Sequence, residues 1–417
     1  MATVCDQGTS NVSAINYLIE DTRRNYLRKN EILKHSIFEV EGKCVIPLYD
    51  LPHLLKGLRN NLITKNLKYS MDGQEKVAKW EHIQLLYRNN PTYKGLKLIK
   101  KLSENHCNKD KIPKMKVKFA SQLFSQTVGK TMGYLAENGI LPEEAKDTAD
   151  LIIFIDNLFD SMNGSFQNSK TRSGKELLRN VTPNSLQKNV WTQSKNILKS
   201  MKFVSVTGSA GTVPSINNWL HTVKNMELLR DKLFNEYNMK SLWCRHLNQD
   251  PLENFFGSIR SHGLRNVSPT CAAFEAAFAS LLVNNLSSNY AVGSNCEEDF
   301  CSVFHTFDEI FSKKQSDAVD INEIDFQDIM LDIDYNEKEN NPTLKAQLEY
   351  VTGYLLRKSR KIIKNCKNCE KTLFEKNEKE NTYISCREYI KNRKFLSYPN
   401  ANMKKIFSCL QDVVHNI

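Results

Sequence analysis

A chain of 417 residues with 40% hydrophobic and 25% charged side chains is long enough for two or three cored domains and too apolar for wholesale disorder. Its formal charge of +11 favours a polyanion partner, either nucleic acid or an acidic membrane surface. The start, MATVCDQGTS, lacks the basic segment and apolar core of a secretory signal, and the apolar run at 274–283 is too short to span a membrane. Eleven cysteines without regular spacing fit a reducing compartment, the nucleus or cytosol.

In chain order, MATVCDQG alternates small and β-branched residues into Asp-Gln-Gly, the pattern of a strand ending in a turn. NVSAINYLIEDTRRNYLRKN has helical spacing, with Val12, Ile15, Tyr17, Leu18 and Ile19 on an apolar face. KCVIPLYD (43–50) predicts a second short strand. Asp50 then suits a helix cap and Pro52 the first turn of a helix continued by LLKGLRNNLI. Strand, helix, strand, helix is an α/β signature. From about residue 70 to 240 the spacing predicts an all-α block, including one helix over KFASQLFSQTVGKTMGYLAENG, with SVTGSAGTVPS its clearest loop. Between Lys94 and Lys118, nine lysines face only Glu104 and Asp110; between Asp308 and Glu339, eleven acids face three lysines. The second run reads as an acidic linker. A basic amphipathic helix at 344–365, CKNC and a lysine-rich tail close the chain.

LNQDPLENFFGSIRSH (247–262) admits two readings. Asp250 at the cap, Pro251 after it and Glu253 three positions on spell a capping box. Alternatively Glu253 faces a metal ion. Magnesium takes hard oxygen ligands, and a two-metal site needs carboxylates converging from separated elements to offset the repulsion of cations about 4 Å apart. Asp6, at the end of a predicted strand, lies where α/β folds collect ligands, so Asp6 and Glu253 form a candidate pair; a third carboxylate is absent. Asp50 and His53 suit either a cap and core or a place beside metal or DNA. His53, Lys56 and Arg59 on one helical face, and Arg260, are candidates for phosphate contact, with solvated cations as the alternative. Gly129-Lys130-Thr131 fails as a phosphate loop because position 124 is Phe. Cys366-Lys-Asn-Cys369 supplies half of a zinc spacing that Cys386 and Cys409 do not complete. No GxSxG motif supports serine nucleophile chemistry.

LNQDPLENFFGSIRSHGLRNVSPT resembles the signature of P element-type transposases, the family that includes the THAP-domain transposase-like proteins. VCDQGTSN (4–11), YDLPHLLKGLRNNL (49–62), and KFASQLFSQTVGKTMGYL with DNLFDSMNG behind it are similar to the same family, in order, with a weaker match in YVTGYLLRKS (350–359). The resemblance implies an α/β RNase H-like (retroviral integrase-like) core interrupted by a helical, GTP-binding type of insertion, and a DDE triad holding two Mg²⁺ ions to cut and join DNA. It implies Asp6 as the second catalytic Asp and Glu253 as the catalytic Glu, both metal ligands. It also implies Asp250 between active site and nucleotide, Asp160 and Asn163 as guanine or ribose contacts, and Asp50 with His53 as support for the fold.

The expected segments are a first core part at 1–65, an insertion at 66–240, a second core part at 241–300, an acidic linker at 301–343 and a basic helical region at 344–417. The family's first Asp, THAP zinc finger and dimerising coiled coil, all upstream of VCDQG in the family, have no match here. The chain is therefore expected to be an incomplete transposase that does not cleave DNA alone. The alternative is a catalytically inactive, domesticated DNA-binding protein. Mg²⁺ and GTP are the expected cofactors, transposon-end or non-specific duplex DNA the partner, with homo-oligomers, no membrane, and the nucleus as location.

Overall fold

Two short apolar runs at the start of the chain build one sheet. In a computed structural model, which describes residues 1–90, 97–164, 174–205, 210–211, 213–261, 266, 268–285, 341–363, 366, 368, 372–375, 381–389 and 395–416, β1 (Ala2–Cys5) lies parallel to β3 (Lys43–Tyr49). Between them in the chain come α1 (Thr9–Arg28) and β2 (Phe38–Val40), and the sheet order is β1-β3-β2. The sequence reading missed β2, which pairs antiparallel with β3 through a tight turn at Glu41 and Gly42, φ 50° and 72°. Ile46, Leu48 and Tyr49 are all buried, as a central strand covered on both faces requires. Ile15 and Ile19 of α1 pack on Phe38 and Val45 on one face. α2 (Leu51–Leu62) leaves the end of β3 with the expected cap: the Asp50 side chain accepts from the His53 N–H at 3.0 Å.

The block expected to be all helical contains a second sheet. β4 (Asn66–Met71) and β5 (Gln74–Ala78) form a hairpin around Asp72-Gly73, φ 53° and 78°. Asp-Gly flanked by alternating residues is a hairpin signal; Leu67 and Tyr69 point inward and Lys68 outward. β6 (Lys202–Val204) and β7 (Ala210–Gly211) extend this sheet in the order β5-β4-β6-β7, so SVTGSAGTVPS is not wholly loop.

Around it lie α3 (Trp80–Arg88), α4 (Glu104–Cys107), α5 (Val117–Leu123), α6 (Gln126–Glu137), α7 (Ala145–Met162), α8 (Gln187–Ser200) and α9 (Pro214–Asn235). The single helix expected from 118 onward breaks at Phe124, and Ser125 restarts it by accepting from the Val128 N–H. α7 is the central helix, with Leu151, Ile152, Ile155, Leu158 and Met162 buried. Gly129 lets α6 lie against it, since a Cβ there would stand 2.6 Å from Ile153. Gly129-Lys130-Thr131 is thus mid-helix.

The chain divides into two compact units, 1–248 with 333–417, and 249–332. The described part of the second unit is α10 (Asp250–Ser261) and α11 (Cys271–Asn285) with the turn between them. The acidic run at 308–339 lies outside the described residues. α12 (Pro342–Ile363), α13 (Thr382–Arg387) and α14 (Ala401–Asn416) return to the first unit. There Tyr383 is fully buried with its hydroxyl 2.8 Å from Thr131 Oγ1 of α6. Arg387 donates to Thr127 Oγ1 at 2.8 Å, with its guanidinium 4.8 Å over the Tyr350 ring. The C-terminal region therefore folds onto the insertion. Tyr383→Ala is expected to cost about 3 kcal/mol or more in urea unfolding and to open 341–417 to protease. Tyr354→Ala, at an exposed site on α12, should stay within about 0.5 kcal/mol.

Candidate functional site

The backbone N–H of Asp50 donates to the Cys5 carbonyl at 2.8 Å, which sets the carboxyl ends of β1 and β3 side by side. Asp6 follows directly. Its Oδ1 accepts from the Gly8 N–H at 2.8 Å and from Asn11 Nδ2 at 2.7 Å, while Oδ2 accepts no hydrogen bond among the described residues. A Cβ at position 8 would stand 2.9 Å from Asp6 Oδ1, so this approach requires glycine. Gln7 is fixed as well, its Oε1 accepting from Asn218 Nδ2 of α9 at 3.2 Å. The Gly8 N–H, then Asn11, then the charges of His53 and Lys56 hold the Asp6 carboxyl below its ordinary pKa, against partial burial. Asp6 is thus an ionised carboxylate in a fixed orientation with one oxygen open.

Asp50, buried to 1% exposure, also holds the His53 ring, with Nδ1 2.7 Å from its Oδ2. The neighbouring Cys5 thiol is pushed up to about 11, by burial first and then by Asp6 and Asp50, which leaves it a poor nucleophile. The first unit thus brings Asp6, Asp50, His53 and Lys56 together. Lys56 is buried, and its charge acts on Asp6 rather than in solvent. Arg59, expected at phosphates, is the correction. It is 1% exposed and donates from Nη2 to the Lys114 carbonyl at 2.5 Å and from Nη1 to the Lys116 carbonyl at 3.4 Å. Burial pulls its guanidinium down to about 10, still charged at neutral pH. It ties a lysine-rich loop to α2.

The Asp160–Gly164 stretch closes α7 in a rigid turn. The Trp191 indole donates to Ser161 Oγ at 2.9 Å, and the Gly164 carbonyl accepts from the Arg245 N–H at 3.2 Å. A Cβ on Gly164 would collide with the Arg179 carbonyl. Asn163 Oδ1 is buried and finds no hydrogen-bond partner among the described residues. Asp160 receives Lys175 Nζ at 2.6 Å, and the same ammonium lies 3.8 Å from Asp156, one helical turn earlier. Sequence reasoning missed Asp156 and Lys175. The former reads as one more residue of an apolar helix, and nothing in the spacing ties the latter to that helix.

In the second unit, α10 begins on Asp250 itself, one position earlier than the cap expected there, with the Glu253 N–H donating to the Gln249 carbonyl at 2.9 Å. Both acids therefore sit in the first turn, where the helix dipole favours them. Phe255 and Phe278 meet edge to face at 5.9 Å and Phe274 stacks on Phe278 at 6.3 Å, so the phenylalanines of the signature join α10 to α11. Arg260 is exposed. Asp6 and Glu253 belong to different units. Among the described residues no three His, Cys, Asp or Glu side chains are grouped to hold a metal; Cys366 is exposed, and Cys369 lies outside the described residues. No described helix is long and apolar enough to cross a membrane.

Two family models match: the TNP-like GTP-binding insertion domain over 52–175 and the TNP-like RNase H C-terminal domain over 246–279. The Transposable element P transposase of Drosophila melanogaster is 24% identical over 316 residues, 75% of this chain and 40% of the relative. Human (Homo sapiens) DNA transposase THAP9 is 22% identical over 398 residues, 88% of this chain and 41% of the relative. These matches support a chain of the P element-type transposase kind. It spans about two fifths of the length of these relatives. The solved Drosophila P element transposase strand transfer complex has a similar fold, with TM-score 0.54 and 22% identity, over 68% of this chain and 60% of that one. The insertion match takes in α2 to α7 and ends at position 175; the RNase H match holds Asp250 and Glu253.

Arg59→Ala is expected to lower stability by roughly 2–4 kcal/mol, because it leaves two carbonyls without donors and a void beneath the loop. Arg59→Lys, which has no planar fork to reach both carbonyls, recovers only part of this. Chemical denaturation of the three proteins checks the order.

Proposed function

We propose that this chain is the part of a P element-type transposase that holds DNA in the nucleus and brings two carboxylates, Asp6 and Glu253, to a Mg²⁺-dependent phosphoryl-transfer site in an RNase H-like core. The observation that carries it is Asp6, at the carboxyl end of two parallel strands with one oxygen fixed and the other open. That is the donor a hard cation with several retained waters takes from a protein. Asp6 and Glu253 would hold the ion, which when bound supplies charge neutralisation for attack on phosphate. The chain's own work is positional: Gly8 and Asn11 fix the carboxylate, and Asp50 orients His53 beside it. In the insertion, Asp160 and Asn163, whose Oδ1 has no hydrogen-bond partner among the described residues, would read a guanine base or ribose of GTP, and Asp250 would be a further cofactor-binding residue.

DNA would be held through its backbone. Lys100, Lys101, Lys109, Lys111, Lys114, Lys116 and Lys118 are all exposed, and Arg357, Lys358 and Arg360 line the outer face of α12. Such contacts give affinity that depends steeply on salt and little on sequence. A second reading is DNA binding without chemistry in a domesticated protein, which would use the same exposed lysines and arginines.

Mn²⁺ titration of the 417-residue chain followed by paramagnetic resonance separates the readings. Asp6→Asn and Glu253→Gln are each expected to weaken binding more than tenfold, since they share an ion. Unchanged affinity in Glu253→Gln would select the second reading. With Mg²⁺ the unaltered chain should bind duplex DNA without nicking it. In both readings the double change Lys114→Ala and Lys116→Ala should flatten the plot of log affinity against log salt by about two units while leaving stability unchanged.

A further inference from the structure

The helices of the C-terminal region meet around a carboxyl that water cannot reach. Glu349 of α12 is fully buried, and its Oε2 accepts from the Tyr383 N–H at 3.2 Å, in the first turn of α13. Its other oxygen, Oε1, is buried with no hydrogen-bond partner among the described residues. No described lysine or arginine forms an ion pair with it; the charges that face it are Lys404 of α14 and Lys345 of α12, with the phenol of Tyr134 on α6. An ionised carboxylate here would exchange its hydration for one N–H. Burial therefore holds the carboxyl above its ordinary pKa, opposed by Lys404, the Tyr383 N–H and Lys345 in that order.

Two more buried oxygens lack partners among the described residues. Thr352 Oγ1 lies one turn further along the same face of α12, and Asn381 Oδ1 belongs to the residue that opens α13, two positions before Tyr383. Both residues are fully buried. The Asn381 amide donates to the Pro399 carbonyl at 3.1 Å, which fixes its orientation. Pro399 in turn packs on Gly353, the neighbour of Thr352, where a Cβ would collide with the Ser397 carbonyl. A count of donors distinguishes the two charge states. With Glu349 ionised, Oε1 and Asn381 Oδ1 are two acceptors for the one Thr352 O–H. With Glu349 protonated, its O–H and that of Thr352 serve two acceptors, Thr352 Oγ1 and Asn381 Oδ1.

We propose that Glu349 is a proton-dependent latch for the C-terminal region: α12 and α13 stay docked on the insertion while its carboxyl is neutral, and loss of that proton to solvent releases them. The contacts it governs are Tyr383 with Thr131 and Arg387 with Thr127, because the N–H that Glu349 holds is that of Tyr383 itself. The docked state binds the proton more tightly than the released state, where the carboxyl regains water. Docking is therefore complete at and below the ordinary carboxylate range and is lost as pH rises through the raised value. One proton is involved, so protection of α13 falls by up to about tenfold per pH unit within that window.

The test is amide hydrogen exchange of residues 382–387 in the full chain, from mildly acidic to mildly alkaline pH, in wild type and in Glu349→Gln, which keeps the shape and stays neutral. The ratio of the two rates cancels the intrinsic pH dependence of exchange. Wild type should exchange faster as pH rises, the ratio growing by up to about tenfold per unit. Should Glu349→Gln fold poorly, infrared spectra of wild type with ¹³C only in glutamate carboxyls give a second readout, in which Asp156, the other acid raised by burial, stays silent. A protonated glutamate band should persist above the ordinary carboxylate range and vanish where α13 exchange accelerates. Either a constant ratio, or glutamates fully ionised at a pH where α13 is protected, would overturn the latch.

Discussion

The hydrogen bond from the Asp50 N–H to the Cys5 carbonyl is the constraint on which the first site depends. It closes the parallel pairing of β1 with β3 at their carboxyl ends, so that two turns leave the sheet at the same edge. One carries Asp6, the other Asp50 with His53. Neither acid would have its present surroundings if the strands slipped by a residue, because a slip reverses which face every side chain occupies. The covering helices oppose such a slip: Thr222 of α9 accepts from the Tyr49 N–H, and the Trp219 indole donates to the Leu54 carbonyl. Register, helix docking and the orientation of a single carboxylate are thus one problem solved once.

The second site rests on a different balance. On α7 the issue is desolvation rather than register, because two acids are drawn into a helix that is otherwise core. Lys175 enters from a separate segment beside them, and Tyr389 of the C-terminal region lies under its ammonium. The region after α12 is therefore part of the environment of the insertion rather than an appendage.

Legibility followed the range of the interaction. The α2 cap was readable because Asp50, Pro52 and the apolar spacing lie within a few positions of each other, and β1 and β3 because short β-branched runs ended in turn residues. The β4–β5 hairpin was equally local, yet the helical spacing around it hid the Asp-Gly signal. The break at Phe124 was missed because one serine cap outweighs only a single turn of apolar pattern. Asp6 and the Asp160–Gly164 stretch became candidates through family motifs, since a lone acid after a strand or in a turn carries no chemistry of its own. Their partners lay beyond reach. Lys175 meets Asp160 across 15 positions and Tyr383 meets Thr131 across 252, and pairings of that kind are set by tertiary packing, not by neighbouring residues.

Arg59 shows why a basic composition is an incomplete guide to a polyanion surface. On the helix it shares a face with His53 and Lys56 and looks available to phosphate. In the fold it is the most buried of the three, and its donors turn inward to the carbonyls of Lys114 and Lys116. The exposed charge belongs to the lysines whose backbone it anchors. One buried cation thus organises several exposed ones: the guanidinium fork bridges two carbonyls from beneath a loop, and lysine stems are well suited to reach outward from it. Net charge measures the sum of the two roles, whereas affinity for a phosphate backbone comes only from the second. The same partition holds at the other sites, where Lys56 and Lys175 are directed at carboxylates. The cations nearest the candidate sites therefore tune acids, and those farther out on the surface stay exposed.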